Sequence, residues 1–227
     1  MKSPIQRRAA IAALLLAPAL TACGFNEQTD QVYQPAVGVN DRSDNVYVLN
    51  RGPHPVIVFD KAGNFVTSWG EGEFNSRAHG IFCSPDDHIW TVNDNQHCVK
   101  KYTTEGKLVL TIGKEGEPAQ KWGGQPFNTP TNAAVSPNTG DIYITDGYGN
   151  SRVHRYTSEG KHIVSWGAPG IAPGEFQIPH NVVIDENENV YVTDRDNYRL
   201  QVFDNMPPTR AWLTIGTMVA SVWPPST

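Results

Sequence analysis

The sequence predicts an all-β fold, a β-propeller of about four four-stranded blades. The 227-residue chain has 20 Gly and 17 Pro and few long apolar runs, a composition typical of many short strands joined by turns. A short apolar segment also recurs at spacings of 43, 53 and 48 residues, and this period is typical of propeller blades. The four copies are Val46-Tyr47-Val48, Ile89-Trp90-Thr91, Ile142-Tyr143-Ile144 and Val190-Tyr191-Val192.

The N-terminal segment differs from the rest of the chain. A basic stretch precedes an apolar run over residues 9–20, which is typical of an export signal and too short for a permanent membrane span. The run leads to Cys23 in the sequence Leu-Thr-Ala-Cys-Gly, which resembles the bacterial lipobox; an ordinary signal peptide is the alternative. We therefore predict a signal peptide over 1–22, a lipid anchor at Cys23, a tether over 23–33 and export to the bacterial cell envelope or periplasm.

Each repeat is predicted to form a four-stranded antiparallel meander. A polar turn precedes each recurring segment, and a polar loop and a third strand follow it. In the first three repeats a glycine turn then leads into a fourth strand. Because one such sheet cannot bury both faces, we expect the sheets to stack radially, with the aromatic ends of the third and fourth strands packed between blades. The repeats span about 34–74, 75–127, 128–176 and 177–204.

The fourth repeat departs from this pattern after residue 204. No glycine turn follows, and we predict an aberrant tail over residues 205–227. A premature end of a longer sequence explains this tail. The alternative is a displaced fourth strand at residues 212–216, which resemble residues 110–113. In either case we expect a closed ring to need at least one further blade.

Two cysteines lie inside the predicted propeller. Cys83 ends the first strand of its repeat and Cys98 lies in the third. These strands are not neighbours in a meander, so the Cα atoms should lie beyond the limit of about 7 Å for a disulfide. We predict two buried thiols.

A repeated position at the start of each innermost strand carries the functional argument. It holds Ala36, His79, Thr131 and His180. Innermost strands face the central channel, so these side chains should converge, and two imidazoles at equivalent positions suit a zinc ion with an open coordination position. The alternative is a pair of polar side chains in a wet channel. The other histidines are predicted to be surface or turn residues: His54, His88, His97, His154 and His162.

The loops that leave the second strands should meet at the same mouth of the channel. They contribute Arg51, Tyr148 and Arg195. A guanidinium presents a planar fork that grips a carboxylate, and a phenol whose anion is stabilised by nearby cations can act as a base. The set predicts an enzyme site, although each residue taken singly is more often a solvated loop residue.

Longer motifs resemble known repeats. The sequences at 146–156 and 194–204 look like NHL repeats, which normally close as six-bladed propellers, so about four of six blades are present here. The site motifs are Asn50-Arg51-Gly52, Ala78-His79-Gly80, Asp146-Gly147-Tyr148-Gly149-Asn150-Ser151-Arg152, Pro179-His180-Asn181 and Asp194-Arg195. In this order they resemble the peptidyl-α-hydroxyglycine α-amidating lyases.

This resemblance implies a zinc-dependent lyase that splits the C–N bond of a carbinolamide into an amide and glyoxylate. By resemblance, His79 and His180 are zinc ligands, Tyr148 is the catalytic base, Arg51 assists at the reacting centre and Arg195 grips the substrate carboxylate. The implied substrate is a small molecule or peptide with a C-terminal carboxylate. A structural Ca²⁺ is also implied, with the carbonyl group of Ile81 as one ligand.

Two departures from the family pattern stand out. The third histidine ligand belongs to a sixth blade that the sequence lacks, which leaves catalytic activity open. Family members also often carry a disulfide at the residue after the tyrosine, where this chain has Gly149.

Two other functions stay open. A non-catalytic propeller that binds a peptide, glycan or protein in the cell envelope is the main alternative. A hydrolase of the lactonase kind ranks third. Such sites use inward-facing acids and amides, whereas the repeated position here holds alanine, histidine, threonine and histidine. The net charge of −5 provides no basic surface for nucleic acid, the lipid anchor is the only membrane contact expected, and we expect a monomer.

Overall fold

The computed structural model describes residues 36–74, 77–123, 127–204 and 213–215. The predicted signal peptide, Cys23 and the tether lie outside these residues, as does most of the predicted tail. Among the described residues, no helix has the length and hydrophobicity needed to cross a bilayer. The fold class is confirmed: the described residues form four antiparallel sheets of four strands, each ordered as in the sequence.

Each sheet is one blade of the propeller. Blade one consists of β1 (Ala36–Asn40), β2 (Val46–Leu49), β3 (Val56–Phe59) and β4 (Phe65–Trp69). Blade two consists of β5 (Ala78–Cys83), β6 (Ile89–Asn93), β7 (Cys98–Tyr102) and β8 (Leu108–Gly113). Blade three consists of β9 (Asn132–Val135), β10 (Ile142–Asp146), β11 (Arg152–Tyr156) and β12 (His162–Trp166). Blade four consists of β13 (Pro179–Ile184), β14 (Val190–Asp194), β15 (Arg199–Phe203) and β16 (Leu213–Ile215).

The turns between the third and fourth strands require glycine. Gly63, Gly106 and Gly160 have φ angles of 84°, 85° and 82°, in the left-handed region that residues with a Cβ atom rarely adopt. The predicted glycine turns are therefore confirmed in the first three blades.

Blade four has a fourth strand although the sequence has no glycine between β15 and β16. β16 pairs antiparallel with β15, with Leu200 opposite Ile215 and Val202 opposite Leu213. The structure therefore has the displaced fourth strand, which was the alternative for residues 212–216, and this strand covers residues 213–215. The blade extends past residue 204, where the repeat pattern of the sequence ends.

Aromatic side chains fill the spaces between blades. The rings of Trp69 and Tyr102 join blades one and two, with centroids 5.0 Å apart. The rings of Trp166 and Phe203 join blades three and four at 5.7 Å. Burial of a large apolar side chain contributes roughly 1.5–3 kcal/mol, so these contacts hold neighbouring blades in a fixed orientation. The predicted packing of the strand ends between blades is confirmed.

Cys83 and Cys98 are both free. Cys98 is buried as predicted, whereas Cys83 is only half-buried, because it ends β5 next to an exposed turn. Burial raises the pKa of each thiol to about 11. Since the thiolate is the reactive form, both are weak nucleophiles at neutral pH.

Candidate functional site

One end of the channel collects the predicted site residues. His79 and His180 each occupy the second position of an innermost strand, β5 and β13. Tyr148 lies in a single helical turn, α1 (Gly147–Asn150), directly after β10. Arg195 begins a 3₁₀ turn directly after β14. Inner strands of the described blades begin where second strands end, so all four residues lie at one mouth.

Tyr148 lies between the two imidazoles. Its hydroxyl oxygen is 3.0 Å from Nε2 of His79 and 3.0 Å from Nε2 of His180. The two imidazole rings are 5.0 Å apart, centroid to centroid. Side chains from blades two, three and four thus meet at one point, with 69 and 32 residues of sequence separating Tyr148 from the two histidines.

The surroundings of the imidazoles keep them neutral. Nδ1 of His79 lies 2.6 Å from the carbonyl oxygen of Thr131. A carbonyl oxygen only accepts, so Nδ1 carries the hydrogen and Nε2 presents its lone pair to the mouth. Burial lowers the pKa of His79. Burial, followed by the charges of His79 and Arg195, lowers the pKa of His180 to about 4. Neutral imidazole is the form that binds metals.

Arg195 brings a positive charge to the phenol. Its Nη1 donates to the hydroxyl oxygen of Tyr148 at 3.4 Å, and the guanidinium lies 5.4 Å from the centre of the phenol ring. Its Nε donates to Asp196 at 2.8 Å, which orients the guanidinium plane. The side chain is 47% exposed, so its outer edge is open to a ligand.

Arg51 and Thr131 approach the site less directly. Nε of Arg51 donates to the carbonyl oxygen of Ala78 at 3.1 Å and so lies beside His79. Thr131 does not aim its side chain at the common point, because its buried hydroxyl donates to the carbonyl oxygen of Pro179 at 2.7 Å and links blades three and four. The side chain of Ala36 lies outside what the structure describes.

Comparison with protein families identifies the repeat. The NHL repeat matches residues 127–156 and 176–203, which cover most of blades three and four. The chain is an NHL-repeat β-propeller. NHL repeat-containing protein 3 of Homo sapiens is 33% identical over 188 residues, which cover 78% of this chain and 53% of the human protein. The chain therefore spans about half the length of this relative.

The relatives of this NHL propeller include amidating lyases. Peptidyl-alpha-hydroxyglycine alpha-amidating lyase 1 of Drosophila melanogaster is 33% identical over 153 residues, covering 62% of this chain and 27% of the fly protein. Among solved structures, a streptogramin B lyase superposes with a TM-score of 0.59 at 13% identity, covering 77% of this chain and 57% of the lyase. The structure of a nidogen/laminin complex superposes with a TM-score of 0.61 at 11% identity, covering 79% and 62%. At such identities the structural matches show the propeller fold alone.

Arg77 and Asp94 support the site of the NHL propeller and were missed from sequence. Nε and Nη2 of Arg77 donate to the two oxygens of Asp94 at 3.0 and 2.5 Å. Asp94 is fully buried, whereas half of the Arg77 side chain is exposed. Burial is the main cause of the lowered pKa of His79; the charge of Asp94 opposes this shift, and the charge of Arg77 adds to it by a smaller amount. The only signal in the sequence was an arginine two positions before the repeated histidine.

The prediction for the other histidines is wrong for His154. This side chain is fully buried on β11, because Asp146 and Ser165 supply polar partners for both of its ring nitrogens. His97 ends a turn as predicted, although it is buried, and its Nδ1 accepts the backbone N–H of Thr129 at 3.1 Å. The other three are exposed or half-buried: His54, His88 and His162.

The two imidazoles fit part of a zinc site. They present nitrogen donors to one point, and the carbonyl of Thr131 orients the His79 ring as a second partner of a metal-bound histidine does. Across the described ranges, no group of three or more His, Cys, Asp or Glu side chains is arranged to hold a metal ion. A zinc ion bound at this point would take two of its ligands from His79 and His180. The structural Ca²⁺ stays a prediction.

Proposed function

We propose that this NHL propeller is a metal-dependent lyase of the amidating type, which splits a carbinolamide into an amide and glyoxylate. One observation carries the proposal: the Tyr148 hydroxyl lies 3.0 Å from two neutral imidazoles and 3.4 Å from a guanidinium. Similarity to the fly lyase supports it. A phenol held this way can transfer a proton, which is the central step of such a reaction.

The reaction requires one proton removal and one bond cleavage. The Tyr148 oxygen takes the proton of the substrate hydroxyl, the electron pair of that O–H bond forms a carbonyl group, and the C–N bond breaks. Tyr148 passes this proton on to the departing nitrogen, which becomes the amide nitrogen, so no proton is gained or lost overall. Nη1 of Arg195 donates to the Tyr148 oxygen at 3.4 Å, so a positive charge lies beside that oxygen during this step. Bound at His79 and His180, zinc would supply Lewis-acid polarisation of substrate oxygens.

The arginines select and hold the substrate. Arg195 has an exposed edge and a fixed plane, as capture of a terminal carboxylate requires. Arg51 lies beside His79, where its charge stabilises negative charge that develops on substrate oxygens. This arrangement suits a small molecule or peptide that ends in a carboxylate next to the carbinol carbon.

The test is glyoxylate release from an α-hydroxyglycine peptide by the purified, zinc-supplemented chain. We expect turnover that a metal chelator abolishes and added zinc restores. A chain that is folded by circular dichroism and loaded with zinc, yet releases no glyoxylate above the spontaneous rate, would refute the proposal.

Zinc binding should depend on both histidines. We expect His79→Ala and His180→Ala each to weaken zinc affinity by more than about 100-fold, since loss of a second-shell partner alone costs about 10–100-fold. Isothermal titration calorimetry with zinc measures this. His54→Ala, which removes an exposed histidine, is the control and should bind zinc like the wild type. Equal affinities in all three variants would contradict the assignment.

Loss of the Arg195 guanidinium should weaken substrate binding. We expect Arg195→Gln to raise KM by about 10–100-fold, because a charge-assisted hydrogen bond contributes about 1.5–3 kcal/mol. Steady-state kinetics with the same peptide measure this change. Arg42→Gln, at an exposed arginine in the turn after β1, is the matched control. A KM within twofold of the wild type in Arg195→Gln would exclude its role in binding.

A binding module is the second candidate function. Trp122 favours it: this residue is 53% exposed, has a φ angle of 60° and donates its backbone N–H to the carbonyl of Gly149 beside Tyr148. An exposed aromatic ring at the mouth suits contact with a peptide, glycan or protein. Absence of both zinc binding and turnover would favour this function. In either case we propose export and a lipid anchor at Cys23, with the propeller acting as a monomer.

A further inference from the structure

A buried carboxylate supports the helical turn that carries Tyr148. Asp146 ends β10, directly before α1, and is fully buried. Both of its oxygens accept the backbone N–H of Asn128 at 3.0 Å, and one accepts Nδ2 of Asn150 at 2.5 Å. Asp146 thus links Asn150, the last residue of α1, to Asn128 in the segment before β9. Tyr148 lies between these two residues in the sequence.

A chain of hydrogen bonds leads from Asp146 to the surface. Nε2 of His154 lies 3.3 Å from Asp146, and Nδ1 of His154 lies 2.7 Å from the hydroxyl oxygen of Ser165. Nε2 of the exposed His162 lies 2.8 Å from the same hydroxyl. An ionised carboxylate only accepts, so Nε2 of His154 carries the hydrogen and Nδ1 accepts the Ser165 hydroxyl. The Ser165 oxygen then accepts the Nε2–H of His162. Each hydrogen bond in this series therefore has one donor and one acceptor.

The equivalent acids of the neighbouring blades have different partners. In blade two Asp94 binds Arg77, and in blade four Asp194 accepts Nε of Arg199 at 3.0 Å. Both partners are guanidiniums. In blade three the partner is an imidazole on the third strand of the sheet, held by a serine of the fourth. Blade three is also the blade that carries Tyr148.

We infer that His154 is a positioning residue for Tyr148, acting through Asp146. The imidazole fixes the carboxylate, the carboxylate ties the last residue of α1 to Asn128, and α1 holds the phenol hydroxyl 3.0 Å from His79 and from His180. The part of this inference that concerns the reaction rests on the proposed lyase function. The part that concerns the order of α1 does not.

The experiment compares His154→Leu with Gln201→Leu. Gln201 holds the same third position of the third strand in blade four and is also fully buried, but it bonds the chain at Gly174 and Glu175 and not its own acid. We expect His154→Leu to lower kcat by about tenfold with KM within twofold, because substrate capture by Arg195 is kept. Gln201→Leu should change kcat by less than threefold. Equal losses of kcat in the two variants would overturn the inference.

Hydrogen–deuterium exchange tests the same point without turnover. We expect amides of residues 147–151 to exchange about tenfold faster in His154→Leu than in the wild type, and at the wild-type rate in Gln201→Leu. His154→Gln keeps a donor and an acceptor in the strand and should restore protection and most of kcat. If no variant releases glyoxylate, the lyase proposal fails while the exchange data still decide the role of His154. Unchanged exchange in His154→Leu would refute that role.

Discussion

Replacing Tyr148 with phenylalanine should lower glyoxylate release by about 100-fold or more. A well-placed general base contributes about 10²–10⁴-fold to a rate, and the phenol hydroxyl is the group that the two imidazoles and Arg195 surround. The ring itself stays in Tyr148→Phe, so the packing of the mouth and the fold should be kept. The measurement is kcat with the α-hydroxyglycine peptide, alongside the melting temperature.

Tyr198→Phe is the matched control for this prediction. Tyr198 follows the 3₁₀ turn of Arg195 and is 65% exposed. Loss of its hydroxyl should leave kcat within twofold of the wild type. Retention of full activity in Tyr148→Phe would remove the phenol from the reaction and favour a binding module.

The repeat pattern was sufficient to predict the centre of the site. His79 and His180 hold the same position in two blades, so any radial arrangement brings them to one mouth. Tyr148 and Arg195 could be added because loops that leave second strands end at that mouth. These are consequences of topology, and topology can be predicted from spacing.

The supporting contacts could not be predicted in this way. His154 is buried because Asp146 and Ser165 meet it across neighbouring strands, and this depends on register rather than on repeat spacing. For β16, the likeness of residues 212–216 to residues 110–113 indicated a strand only as an alternative, and its register opposite β15 was not predicted. The register of two paired strands determines which side chains lie opposite each other, and the repeat spacing does not fix that register.

The departure at Gly149 also has a physical reason. A Cβ atom at this position would collide with the side chain and the backbone oxygen of Asn128. Asn128 is held in place by Asp146 and by its own bond to the carbonyl of Ala119 at 2.7 Å. Asn128 therefore occupies the space that a larger residue after the tyrosine would need, and hydrogen bonds stabilise the loop at the position where the lyase resemblance implies a disulfide.

Gly147→Ala should destabilise the junction of blades three and four. A Cβ atom there would collide with the carbonyl oxygen of Pro179 and lie 3.1 Å from Cγ2 of Thr131 and 3.2 Å from Cγ2 of Ile178. The Pro179 oxygen cannot retreat without losing the hydroxyl of Thr131, which it accepts at 2.7 Å. Overpacking of this kind costs about 1–3 kcal/mol, so we expect the melting temperature to fall by roughly 2–12 °C.

The same substitution should affect the site more than the fold. Tyr148 follows Gly147 directly and His180 follows Pro179, so forcing the two backbones apart lengthens the 3.0 Å contact between phenol and imidazole. Gly80→Ala is the control for stability, since a Cβ atom there has no neighbour nearer than 3.4 Å. A melting temperature of Gly147→Ala that matches Gly80→Ala would show that the blades separate freely. The close approach of the two backbones would then not be what holds Tyr148 against His180.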